Sequence, residues 1–138
     1  MGARCTLTIE TRGPGLYEVT SKVASFVSSC GIREGLCVVF CRHTSASLVI
    51  QENADPSARR DLETFLERLA PEGASWHTHT AEGPDDMPSH LRSALTKTSE
   101  TFIVEGGRLL LGPWQGLFLC EHRRAPHTRT LEVKVLAG

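Results

Sequence analysis

Two segments near opposite ends of the chain alternate with a strict period of two. Cys5, Leu7 and Ile9 fall on one face and Thr6, Thr8 and Glu10 on the other; later, Leu131, Val133 and Val135 alternate with Thr130, Glu132 and Lys134. Such a pattern puts one face on a core and the other in water, so both segments read as half-buried strands. Between them, Leu36–Cys41 is a continuous apolar run, too short for a helix and rich in β-branched residues, which reads as a central strand. Further strands are expected at Ser45–Gln51, Thr101–Val104, Arg108–Leu111 and Leu117–His122, with a turn at Glu105-Gly106-Gly107. Helical spacing is confined to three places. After the turn Gly13-Pro14-Gly15, Leu16, Val19, Val23, Phe26, Val27 and Cys30 recur on one helical face, and Gly31 stops the run. Asp55-Pro56 opens a second helix, because Asp accepts from free N–H groups while Pro occupies the first turn. Its stripe is Ala58, Leu62, Phe65, Leu66 and Leu69, and it ends before Pro71. A short third helix spans Pro88 to Thr96, with Leu91, Ala94 and Leu95 inward. The expectation is an α+β domain of mostly antiparallel or mixed sheets with two long helices and one short one. At 138 residues it is a single domain, residues 1–138.

Composition narrows the function classes. Fifteen Lys plus Arg against sixteen Asp plus Glu leave a net charge of −1, so no global field steers the chain to nucleic acid or membrane. No apolar run suits a signal peptide or a spanning helix, and five cysteines without a Cys-x-x-Cys pair suit a reducing compartment. A cytoplasmic location is expected. Six histidines stand against one tyrosine, and imidazole is the commonest metal ligand.

Chemistry-bearing residues fall into three clusters. The stretch from Trp76 to His90 holds His77, His79, His90, Glu82, Asp85 and Asp86, and a long polar loop in a compact domain is commonly functional. A strand junction carries His43, Ser45 and Ser47, followed by Asn53 and Asp55, the last a helix cap. Finally, Gly112-Pro113-Trp114-Gln115-Gly116 precedes a strand ending in Cys120-Glu121-His122-Arg123-Arg124. Glu121 shares a face with Leu117 and Leu119, where a carboxylate is costly unless paired or metal-bound. Four chemistries compete for these residues. His43, His79 and His90 could hold a metal ion with an open position. Cys41-x-His43 and Cys120-x-His122 could form a cage or a thiol–imidazole pair. Ser45 or Ser47 could join His and Asp in a hydrolase triad, although no Gly-x-Ser-x-Gly elbow frames them. Asp85-Asp86 could hold Mg²⁺ against a diphosphate.

Taken together and in order, these blocks strongly resemble one family: His43-Thr44-Ser45-Ala46-Ser47-Leu48, Asn53-Ala54-Asp55-Pro56, Glu82 through His90, Gly107-Arg108-Leu109, and Gly112 through Gly116 with Leu119 to Arg123. That family is the YjbQ-like family, also named the secondary thiamine-phosphate synthase family, and the resemblance runs from about residue 5 to the end. The chain departs from its pattern at Pro113, usually Thr, and at His77, usually an aromatic such as Tyr, so ligand status is carried to His79 alone of that pair.

The resemblance implies an α+β homotrimer with a pocket near the subunit boundary. It also implies a weak transferase activity, joining hydroxymethylpyrimidine diphosphate to thiazole phosphate with release of pyrophosphate. In that reaction the leaving diphosphate gathers negative charge, which a divalent cation, zinc or magnesium, would offset. His43, His79 and His90 would hold the cation, and Asp85 or Asp86 would complete or orient its shell. Trp114 would stack on the pyrimidine, Gln115 and Glu121 would bond its ring, and Ser45, Ser47 and Asn53 would contribute to substrate binding. The expected partners are a small phosphorylated substrate and two further copies of the chain. The alternative is a metal-dependent small-molecule-binding or hydrolytic trimer whose own reaction is different.

Overall fold

The computed structural model describes all 138 residues, Met1 to Gly138. Eleven elements follow in the order β1 (Gly2–Thr11), β2 (Gly15–Glu18), α1 (Thr20–Ser29), β3 (Glu34–Cys41), β4 (Ala46–Glu52), α2 (Pro56–Leu69), α3 (Asp86–Leu95), β5 (Ser99–Glu105), β6 (Arg108–Leu109), β7 (Gln115–Glu121) and β8 (His127–Ala137). They form two antiparallel sheets: five strands in the order β1-β8-β3-β5-β6, and three in the order β2-β7-β4.

The two alternating end segments are β1 and β8, and they pair along their whole length, with Leu7 opposite Leu131 and Cys5 opposite Val133. β3, the continuous apolar run, is the central strand between β8 and β5. It approaches β8 so closely at Gly35 that a Cβ there would lie 1.8 Å from the Leu136 carbonyl oxygen, and only glycine fits. The main core lies between the sheets: Cys37, Val39, Leu131, Val133, Val135 and Phe102 from the large one meet Ala46, Leu48, Leu117 and Leu119 from the small one, with Val23 and Val27 of α1. A second, smaller cluster of Leu16, Phe118 and Cys120 lies on the other face of the small sheet, with Val49 and Leu62 against it.

The structure corrects the helix expectations in three places. Leu16 is not on α1; it lies in β2, opposite Cys120 of β7, because edge pairing on the small sheet outweighs its helical spacing. Asp55 does cap α2, accepting from the Ser57 N–H at 2.9 Å. However, α2 buries no residue, and Phe65 and Leu69 of its apolar stripe face solvent. Ala58, Leu62 and Leu66 are half-buried, and Arg60, Glu63, Thr64 and Glu67 border a cavity beside the helix. α1 and α3 are of equal length, ten residues each, and α3 begins two residues before Pro88, at Asp86.

Candidate metal centre

β7 organises the site because both its faces are covered. Leu117, Leu119 and Glu121 alternate toward the main core, while Phe118 and Cys120 point toward α2 and His122 continues that register. Just past its end, Arg123 reaches across to the start of α3. Its Nε donates to Asp85 Oδ2 at 3.1 Å and one terminal nitrogen to Asp86 Oδ1 at 2.9 Å. Asp85 also accepts from the Arg124 N–H at 2.9 Å. Burial works to raise the Asp85 carboxyl, but these donors outweigh it and hold it below the ordinary range.

Asp86 is almost wholly buried, and its second oxygen faces two imidazoles. His79 Nε2 lies 2.9 Å and His90 Nε2 3.1 Å from Asp86 Oδ2. One turn of α3 sets His90 over Asp86, and the loop after α2 brings His79. The three ligand atoms lie within 4.8 Å of one another. The His90 Nδ1 is 2.8 Å from the Thr44 carbonyl oxygen, which can only accept, so Nδ1 carries the proton. In the neutral ring, Nε2 therefore offers a lone pair toward a carboxylate oxygen. Two acceptors 3.1 Å apart repel unless a proton or a cation lies between them. A backbone carbonyl fixing the tautomer of a histidine is also the usual support of a metal ligand. Burial tends to raise the Asp86 carboxyl, and the opposing pull of His90, Arg123 and His79 leaves it lowered. Two imidazoles and one carboxylate suit a divalent metal that accepts nitrogen, zinc above all, better than magnesium, which prefers oxygen.

The other expected residues are placed differently. His43 does not join His79 and His90; its Nε2 accepts from the Thr130 N–H at 3.0 Å, and burial next to Arg129 lowers its basicity. Asp86 stands beside His79 and His90 in the third position expected for His43. Glu121 is not free to act as a catalyst. Its carboxylate accepts from Arg129 at 2.6 and 2.7 Å, from Thr11 Oγ1 at 2.7 Å, and from the His122 and Arg123 N–H groups. Burial raises this carboxyl, yet the Arg129 and backbone donors prevail and keep it ionised. Ser45 Oγ accepts from the same Arg129. Ser47 is fully buried and bonds His122 Nε2 at 2.9 Å, so it cannot touch a substrate directly.

Asn53, Trp114 and Gln115 lie at the far end of the small sheet. Gln115 pairs with Glu52 at one end of β7 and Glu121 with Ala46 at the other, a separation of about 20 Å at strand rise. Asn53 donates to Glu18 at 2.8 Å, Gln115 accepts from the Gly112 N–H, and the Trp114 ring is exposed. Within one chain these three residues do not meet the histidines.

His122, expected at the end of the strand Leu117–His122 and outside the expected metal set, is buried, and burial beside Arg92 lowers its pKa to about 4. Only its register, continuing Phe118 and Cys120, could have shown this. Cys120 is itself pushed up to about 12 by burial, so no thiolate pairs with His122. His77 packs edge-on against Trp76 and lies outside the His79–Asp86–His90 group, although its Nε2 is buried without a partner. No helix is long and apolar enough to cross a membrane.

Comparison with known proteins agrees with this architecture. Residues 5–138 match the model of the family described as UPF0047 protein YjbQ-like. The UPF0047 protein sll1880 of Synechocystis sp. is 54% identical over 129 residues, covering 94% of this chain and 88% of its own length. The UPF0047 protein YjbQ of Escherichia coli O157:H7 is 40% identical over 119 residues, covering 86% of each chain. Among solved structures, a YjbQ/UPF0047 family protein of Clostridium acetobutylicum superposes with a TM-score of 0.87 at 32% identity, over 96% of this chain and 99% of that one. A conserved hypothetical protein of Thermus thermophilus gives 0.85 at 36% identity, over 96% and 99%.

Proposed function

Since the chain belongs to the YjbQ-like UPF0047 family, we propose that it is a metal-dependent enzyme acting on a small phosphorylated substrate, with the metal on His79, Asp86 and His90. The observation that carries this reading is the convergence of two imidazole nitrogens on one buried carboxylate oxygen. A divalent cation held there would polarise phosphoryl oxygens and offset the charge of a departing diphosphate. The chain's own part is positional. Thr44 fixes the His90 tautomer, Arg123 orients Asp86, and Ser89 ties α3 to the end of β7 by donating to the His122 carbonyl at 2.9 Å.

The reaction class follows the family resemblance: transfer of a hydroxymethylpyrimidine from its diphosphate to a thiazole phosphate. Trp114, Gln115 and Asn53 would enter such a site only from a neighbouring subunit, which fits the proposed homotrimer. Supporting assembly, Leu36, Phe40, Ile103 and Leu136 stand exposed on the outer face of the large sheet, with Leu36 opposite both Ile103 and Leu136. The proposed location is the cytoplasm. One observation favours a hydrolytic reaction as the second reading. Arg123, which bonds Asp86 of the cluster, is already committed to Asp85 and Asp86, so its guanidinium is not free for a diphosphate.

Metal analysis combined with pyrophosphate release separates the readings. The transferase predicts bound zinc lost in Asp86→Asn and pyrophosphate formed only when both substrates are present. Release from the diphosphate alone would favour hydrolysis. Purified protein that binds no divalent metal would sink both.

A further inference from the structure

Behind the metal cluster, on the far side of Asp85, lies a separate cavity of about 530 Å³ between α2 and the outer face of the small sheet. Neither His79 nor His90 lines it. Its size is in the range of small-molecule sites. What marks it is His122, 3% exposed and part of its wall. Its Nε2 lies 2.9 Å from Ser47 Oγ, which also makes a short contact with Thr96 Oγ1, and its Nδ1 has no partner in the chain. In the tautomer whose Nε2 donates to Ser47, Nδ1 is a bare lone pair on a buried side chain that lines the cavity.

The remaining wall is richer in free acceptors than in free donors. Arg92 is spent on the Leu66 and Ala70 carbonyls at the end of α2, and Arg124 on Glu72. Glu63 uses one oxygen on the Leu16 N–H at 2.8 Å and keeps the other, while Glu67, one turn along α2 at the exposed rim of the cavity, makes no bond within the chain. Only Arg60 remains as an uncommitted cation there.

We propose that this cavity binds a small organic cation bearing N–H donors, an amine or amidinium, which donates to His122 Nδ1 and to the carboxylates of Glu63 and Glu67. The site stands apart from the metal reading and can be tested in chelator-treated protein. With histidine side chains labelled with ¹⁵N, benzamidinium titrated into the intact chain should move the His122 resonances saturably at millimolar concentration, whereas benzoate should not. Glu67→Gln, an exposed position that leaves the fold alone, should weaken benzamidinium about tenfold, the value of one lost charged contact. Three results would each overturn the proposal: no saturation, equal binding of benzoate, or undiminished binding in Glu67→Gln.

Discussion

Glu121 and Asp86 are carboxylates of equal burial, each about 1% exposed, and Arg123 stands between them in space. Their partners differ in kind. Every lone pair of Glu121 meets a donor that cannot leave: a buried guanidinium, a threonine hydroxyl and two backbone N–H groups. Asp86 gives one oxygen to Arg123 and leaves the other to two imidazoles, on His79 and His90. A closed hydrogen-bond shell marks a carboxylate that holds the fold, whereas a shell completed by two titratable rings leaves room for the metal proposed above.

Breaking the closed shell should produce the largest effect. Glu121→Ala strands Arg129 in the interior, and denaturant unfolding should show a loss of about 3–5 kcal/mol. An equal loss in Asp86→Ala would erase the contrast between the two carboxylates.

Acid should act next through His122. Its pKa lies near 4 in the folded chain against an ordinary value of 6.5. Above pH 6.5 both states are neutral and the ring contributes no pH dependence. As pH falls from 6.5 toward 4 the unfolded chain takes up a proton that the native state refuses, and stability declines. The shift corresponds to on the order of 3 kcal/mol. Unfolding curves across this window should flatten in His122→Gln; an unchanged slope would contradict the assignment.

On the open side, His79→Ala removes one of three proposed ligands and should lower zinc affinity about 100-fold, about 2.8 kcal/mol. The half-exposed ring makes metal-free stability nearly indifferent to this change. Competition with a chromophoric chelator reads the affinity directly. The smallest effect tests redundancy in the closed shell: Thr11→Val removes one donor and should cost about 1 kcal/mol, because the others remain. A cost as large as that of Glu121→Ala would mean that the shell acts as one unit.

Local patterns were readable wherever one face of an element decides its place. The alternation of β1 and β8, the apolar run of β3 and the Asp55-Pro56 start of α2 all appear in the structure as the residues suggest. The loop rich in His, Asp and Glu does supply His79, Asp86 and His90 to one point. Family membership was legible as well, because it rests on blocks of residues in order.

Whatever depended on a partner distant in sequence was decided by the tertiary structure. Leu16 became a strand residue because β7 offered it an edge, and α2 left Phe65 and Leu69 of its apolar stripe in solvent. His43 was drawn to a backbone N–H of β8, His122 was enclosed between Ser47 and the cavity, and Glu121 was satisfied by β1 and β8. Composition and spacing name the residues able to bind a metal or a proton. Which of them keep an unspent lone pair follows from long-range hydrogen bonding, and only the folded chain contains that information.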